Sequence, residues 1–104
     1  MPKTSATIDE LRQTEWSSHF ENLMRNRLIM GALRYGRLHE KNKSEYDRIE
    51  SMIKRLQAYK KSGNTEYLMD VANLDLCEFE EGKHPNKHFH SIDDGEHTNT
   101  KENI

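Results

Sequence analysis

The chain has a single cysteine, Cys77, in 104 residues. That excludes an internal disulfide and, for a domain this small, points to a reducing compartment. No apolar run at the start resembles a signal peptide, and none approaches the roughly 18 residues that cross a membrane, so a cytoplasmic protein with no membrane partner is expected. No basic patch is interleaved with aromatics and the pI is near 6.3, which argues against nucleic acid as a partner. No alternating apolar pattern of useful length and no internal repeat occurs, so strands and repeat arrays are not expected. Apolar residues are also scarce, at 33% against 33% charged. The core of one such domain is marginal, and a homo-oligomer is the natural way to bury more surface.

What is present is helical punctuation. Residues 1–7 read as a disordered start, residues 8–90 as one helical domain and residues 91–104 as a disordered tail. Thr7 suits a cap for a first helix over about Ile8 to Trp16, with Asp9 and Glu10 at the positive end of its dipole. Ser17 and Ser18 offer a break. A second helix spans about His19 to Tyr35, with Phe20, Met24, Leu28, Gly31 and Tyr35 at helical spacing and Leu23 and Met30 widening the face. Gly36 stops it. Ser44, with Asp47 three places on, forms an approximate capping box for a third helix, in which Tyr46, Ile49, Ile53 and Leu56 recur at 3, 4, 3, flanked by Met52 and Tyr59. Gly63 ends that helix, Asn64 or Thr65 caps a fourth, and Gly82 closes it. The expected fold is all-α: three to four helices packed as an antiparallel bundle.

Charge is distributed unevenly. Basic residues greatly outnumber acids from Arg25 to Lys61, whereas Asn64 to Gly82 contains six acids and no lysine or arginine. Either oppositely charged helices pack side by side, or arginines and carboxylates face a common cleft that holds a polyphosphate with its metal. In the fourth helix Glu66, Asp70, Asn73 and Cys77 form one stripe. The adjoining Leu68, Val71, Ala72, Asp75 and Phe79 are mostly apolar and are expected to face a core. Acids beside a core require a metal ion, a basic partner such as Arg27 or Arg34, or a hydrogen-bond network.

Asp47-x-x-Glu50 and Glu66-x-x-x-Asp70 each place two carboxylates on one helix face. If the two pairs converge they can bind Mg²⁺; otherwise they are solvated first-turn acids. The paired acids resemble the ExxE and ExxD motifs of the MazG-like all-α nucleoside triphosphate pyrophosphohydrolases. The segments RYGR (34–37) and EYLMDVAN…EFEEGKHPNKHF (66–89) are similar to small phage-encoded proteins placed near that superfamily. This chain has DxxE and ExxxD in place of those motifs. The resemblance implies a nucleotide ligand, Mg²⁺ held by Glu50, Glu66, Asp70 and Asp47, and a ligand contact from Asn73, in a bacterial or phage-infected cell; Lys54 and Arg34 would then neutralise phosphate charge. The turn at Tyr35, Gly36 and Arg37 either presents Arg34 and Arg37 to that phosphate or is a helix C-cap with its cations set against the dipole. The resemblance leaves open whether the chain cleaves the nucleotide, sequesters it, or docks on a host protein as an accessory factor.

His84, His88 and His90 could offer imidazoles to Zn²⁺ or Ni²⁺, but no structural-zinc spacing accompanies them. The other reading has Pro85 ending the helix and Phe89 folding back to plug the core. Cys77 reads as an ordinary core thiol.

Overall fold

The computed structural model describes residues 2–39 and 47–91. These form α1 (Ile8–Thr14), α2 (Ser18–Tyr35), α3 (Arg48–Ser62) and α4 (Glu66–Glu81), with no strand among the described residues. The fold class is all-α, as the periodicity predicts.

Each helix begins and ends where its sequence supplies the chemistry. Thr7 Oγ1 accepts from the Glu10 amide while Glu10 accepts from the Thr7 amide, a complete capping box that starts α1. The chain breaks at the two serines, and Ser17 caps α2 through the Phe20 amide. Gly36, at φ 101°, ends α2. Asp47 is itself the cap of α3, accepting from the Glu50 amide; the Ser44 half of the expected box lies outside the described residues. Gly63 ends α3 in the left-handed region at φ 75°, where a side chain would be strained. At the start of α4 Thr65 makes no side-chain cap, and Asn64 Oδ1 accepts from the Glu66 amide instead.

Packing centres on α4, which is lined by both α3 and α2; among the described residues α2 does not pack on α3, and α1 packs on neither. Residues early in α3 meet residues late in α4, as Arg48 does Glu78, and mid-α3 meets the first half of α4, as Arg55 does Asp70. The buried core among the described residues is Met52 of α3 and Met69 of α4. Met24, Leu28 and Gly31 are half-buried along α2, as their spacing predicts, but Tyr35 is exposed.

Three expectations about facing are reversed. Ile49, Ile53 and Leu56, the clearest amphipathic stripe, remain largely exposed, while Met52 and Tyr59 beside them turn towards α4. On α4 the stripe of Glu66, Asp70 and Asn73 faces the neighbouring helices, with Arg27 as the basic partner that acids beside a core require, and Leu68, Val71 and Ala72 are half-buried; it is Phe79 of the apolar stripe that departs, standing exposed. Ion pairs drive this: six acids and arginines on α2, α3 and α4 find partners only with the polar side turned inward. Phe89 plugs nothing, standing exposed beyond the end of α4. No helix among the described residues is long and apolar enough to cross a membrane. The tail expected to be disordered lies, from residue 92 onward, outside the described residues.

Candidate functional site

One arginine of α2 organises the site. Arg27 spans the first turn of α4: Nη1 lies 2.9 Å from Glu66 Oε2, while Nη2 and Nε reach Asp70 Oδ1 at 2.9 and 3.0 Å. A planar guanidinium meets two carboxylates spaced i, i+4 because that spacing stacks them on one face of the helix. From the other side Arg55 of α3 approaches Asp70 Oδ2, with Nε at 3.6 Å. Each oxygen of Asp70 is thus directed at a cation from a different helix. Arg55 is steadied by its own helix, where its guanidinium donates to the Ser51 hydroxyl and carbonyl.

One turn on, Asn73 Nδ2 donates to the Met24 carbonyl at 3.2 Å, tying α4 to α2, while Asn73 Oδ1 is buried with no hydrogen-bond partner among the described residues. Asn73 therefore lies beside the Arg27 pair, on the same face. Leu23, Asn26, Arg27, Asn64, Thr65, Glu66 and Met69 line an open groove of about 280 Å³ between α2 and the start of α4.

The remaining sequence-predicted residues lie elsewhere. Asp47 is engaged in capping α3, and Glu50 is an exposed first-turn residue of the same helix. Twelve residues of α3 separate Glu50 from Ser62, about 18 Å of helix, whereas Glu66 and Asp70 lie just past the loop that follows. The two acid pairs are therefore at different heights. Lys54 is exposed on α3, and Arg34 and Arg37 are exposed at and just after the end of α2. His84 Nδ1 accepts from the Asn86 amide and His88 Nδ1 lies 2.7 Å from the Asn86 carbonyl, so both rings engage their own turn. Among the described residues no group of three or more His, Cys, Asp or Glu is arranged to hold a metal ion.

Tested against Mg²⁺, which takes oxygen ligands in octahedral geometry, the donor set does not fit. Two of its carboxylates already carry guanidinium groups, a third caps a helix, and the fourth, Glu50, stands in the first turn of α3, a helix length away from the loop that leads to Glu66 and Asp70. Arg55 and its neighbour Arg48, which pairs with Glu78 at 3.2 Å, are the residues that sequence reading passed over. The signal was there: basic residues seven apart on α3 match acids eight apart on α4, across a connection of only three residues. Compared with protein-family models, curated proteins and solved structures, the chain matches none.

Proposed function

We propose that the protein is a MazG-like antiparallel helical bundle that binds a nucleotide without hydrolysing it. The observation that carries this reading is Asp70, whose two oxygens face Arg27 and Arg55. Pyrophosphohydrolysis of the MazG type needs Mg²⁺ on carboxylates to neutralise phosphate charge and activate water. Here the charge on the carboxylates is already met by arginine. Antiparallel packing accounts for the order of the ion pairs, since Arg48 meets Glu78 and Arg55 meets Asp70 as position along one helix rises and along the other falls.

The groove beside Arg27 supports a small planar ligand. Its volume of about 280 Å³ falls just below the range of ligand sites, which run from roughly 300 to 1,000 Å³, so only part of a nucleotide fits within it. Leu23 and Met69 provide an apolar surface on which a base can lie, and Asn26, Asn64 and Thr65 bring amide and hydroxyl groups for its edges. A phosphate would compete with Glu66, the more exposed of the two acids, for Arg27.

The test is a thermal-shift series with nucleoside monophosphates and triphosphates, with and without Mg²⁺, run beside an assay for released pyrophosphate. A ligand at about 100 times its Kd stabilises the folded state by ~2.7 kcal/mol. The expected outcome is a rise in midpoint that does not depend on Mg²⁺, with no pyrophosphate. Mg²⁺-dependent pyrophosphate release that disappears in Asp70→Asn would replace this reading with catalysis. No shift with any nucleotide would remove the ligand.

A further inference from the structure

Arg27 is shared unequally between its two carboxylates. Asp70 Oδ1 takes both Nε and Nη2, at 3.0 and 2.9 Å, and is the less exposed acid at 23%. Glu66 holds Nη1 alone, at 2.9 Å, and is 52% exposed. Asp70 therefore sets the direction of the guanidinium, and Glu66 is the partner that an incoming anion can displace. Among the described residues that line the groove, Arg27 is the one cation. Its charge is already answered, because Arg27, Arg55, Glu66 and Asp70 together carry no net charge.

The rest of the groove suits a base. Leu23 and Met69 give it an apolar surface. Asn64 spends its Oδ1 on the Glu66 amide and keeps its Nδ2 to donate, and Thr65 makes no side-chain cap that would occupy its hydroxyl. With a base and its sugar in a groove this small, the phosphate end must leave past Arg27, where Glu66 and Asp70 stand. We propose that Glu66 limits the groove to one phosphate group: a nucleoside monophosphate sets its phosphate on Arg27 Nη1 in place of Glu66, and longer phosphate chains are turned away.

Charge decides the limit. A phosphate monoester carries about −1.5 to −2 at pH 7, so the first phosphate substitutes for the Glu66 charge on Arg27. Each further phosphate adds negative charge that no described lining cation meets, beside two carboxylates. A like-charge contact near 4 Å weakens binding about fivefold even in water, and that separation lies well inside the Debye length of about 8 Å at physiological salt. α4 offers no relief along its length, because its charged residues are all acids, and Lys60 and Lys61 at the end of α3 do not line the groove. The limit rests on the nucleotide reading above and adds to it the number of phosphates.

Titration calorimetry in EDTA tests it, with the nucleoside, monophosphate and triphosphate of each of the four common bases as ligands. In every series that binds, the monophosphate is expected to be tightest and the triphosphate about tenfold weaker. Glu66→Gln, a change at an exposed side chain that circular dichroism should show still helical, should tighten the monophosphate about fivefold and narrow the gap to the triphosphate. A triphosphate that equals or exceeds the monophosphate in the wild type would overturn the limit. So would a monophosphate no tighter than its nucleoside, or a folded Glu66→Gln variant with unchanged monophosphate affinity. The wild-type series decides even if the variant unfolds. Each of these results leaves a ligand of the nucleoside class in place, whereas binding by none of the compounds would remove the nucleotide reading and the limit with it.

Discussion

Asp70→Asn measures how firmly the acid pair is committed to arginine. The Asp70 side chain is 23% exposed, but Arg27 and Arg55 are 42 and 38% exposed, so neither cation is stranded in a dry interior when the charge is removed. The loss must fall between that of exposed pairs, about 0.2–1 kcal/mol, and the ~3–5 kcal/mol of a buried pair broken on one side. Arg27 keeps Glu66 at 2.9 Å after the change, and asparagine retains an oxygen to accept from Nε. Relief of the like-charge contact between Glu66 and Asp70 returns about 0.2–0.5 kcal/mol. The net cost is therefore about 1–1.5 kcal/mol, a fall in midpoint of roughly 5–10 °C for a domain of this size. Urea unfolding followed by circular dichroism gives the free energy, and a cycle with Arg27→Gln isolates the pair, with about 1 kcal/mol of coupling expected. Unchanged or raised stability, with no coupling, would refute the reasoning and return Asp70 to the set of free carboxylates.

The Trp16 indole hydrogen bond and then the Arg25 guanidinium hold the Glu21 carboxyl below the usual glutamate range. The stabilisation from these contacts is present at pH above the ordinary glutamate value and is lost as pH falls through the depressed one. Emission from Trp16, the only tryptophan, should follow that titration and stop doing so in Glu21→Gln. Asn73→Leu should cost less than about 1 kcal/mol in urea unfolding, or stabilise, because it removes the buried Oδ1, unpartnered among the described residues, together with the bond to Met24; a loss above about 2 kcal/mol would mean that the amide is fully satisfied. Gly63→Ala should lower stability by about 1 kcal/mol from strain at positive φ alone, since a Cβ there would touch nothing.

The helices were legible because their boundaries are local chemistry. Thr7 with Glu10, the serine pair at 17 and 18, Gly36 and Gly63 each act within a turn of where they stand. The site was legible only as a requirement. Asp70 beside apolar neighbours demanded a cation, but the cation that answers is 43 residues away in Arg27, and no local pattern ranks it above a metal. Amphipathicity also failed to say which side of α3 would be covered: it identifies the apolar stripe of Ile49, Ile53 and Leu56, whereas the pairing of Arg48 and Arg55 with α4 turns that stripe outward. Phe89 misled for a similar reason, since an aromatic after a helix-ending proline carries no information on whether a pocket exists to receive it.

The most direct measurement of the central claim is Mn²⁺ binding, read by the electron paramagnetic resonance signal of the free ion, with Mn²⁺ standing in for Mg²⁺ on oxygen ligands. The account predicts that the wild type leaves the free-ion signal undiminished at equimolar protein, because Arg27 and Arg55 already satisfy Glu66 and Asp70. Stoichiometric loss of that signal in the wild type, restored by Asp70→Asn, would contradict it.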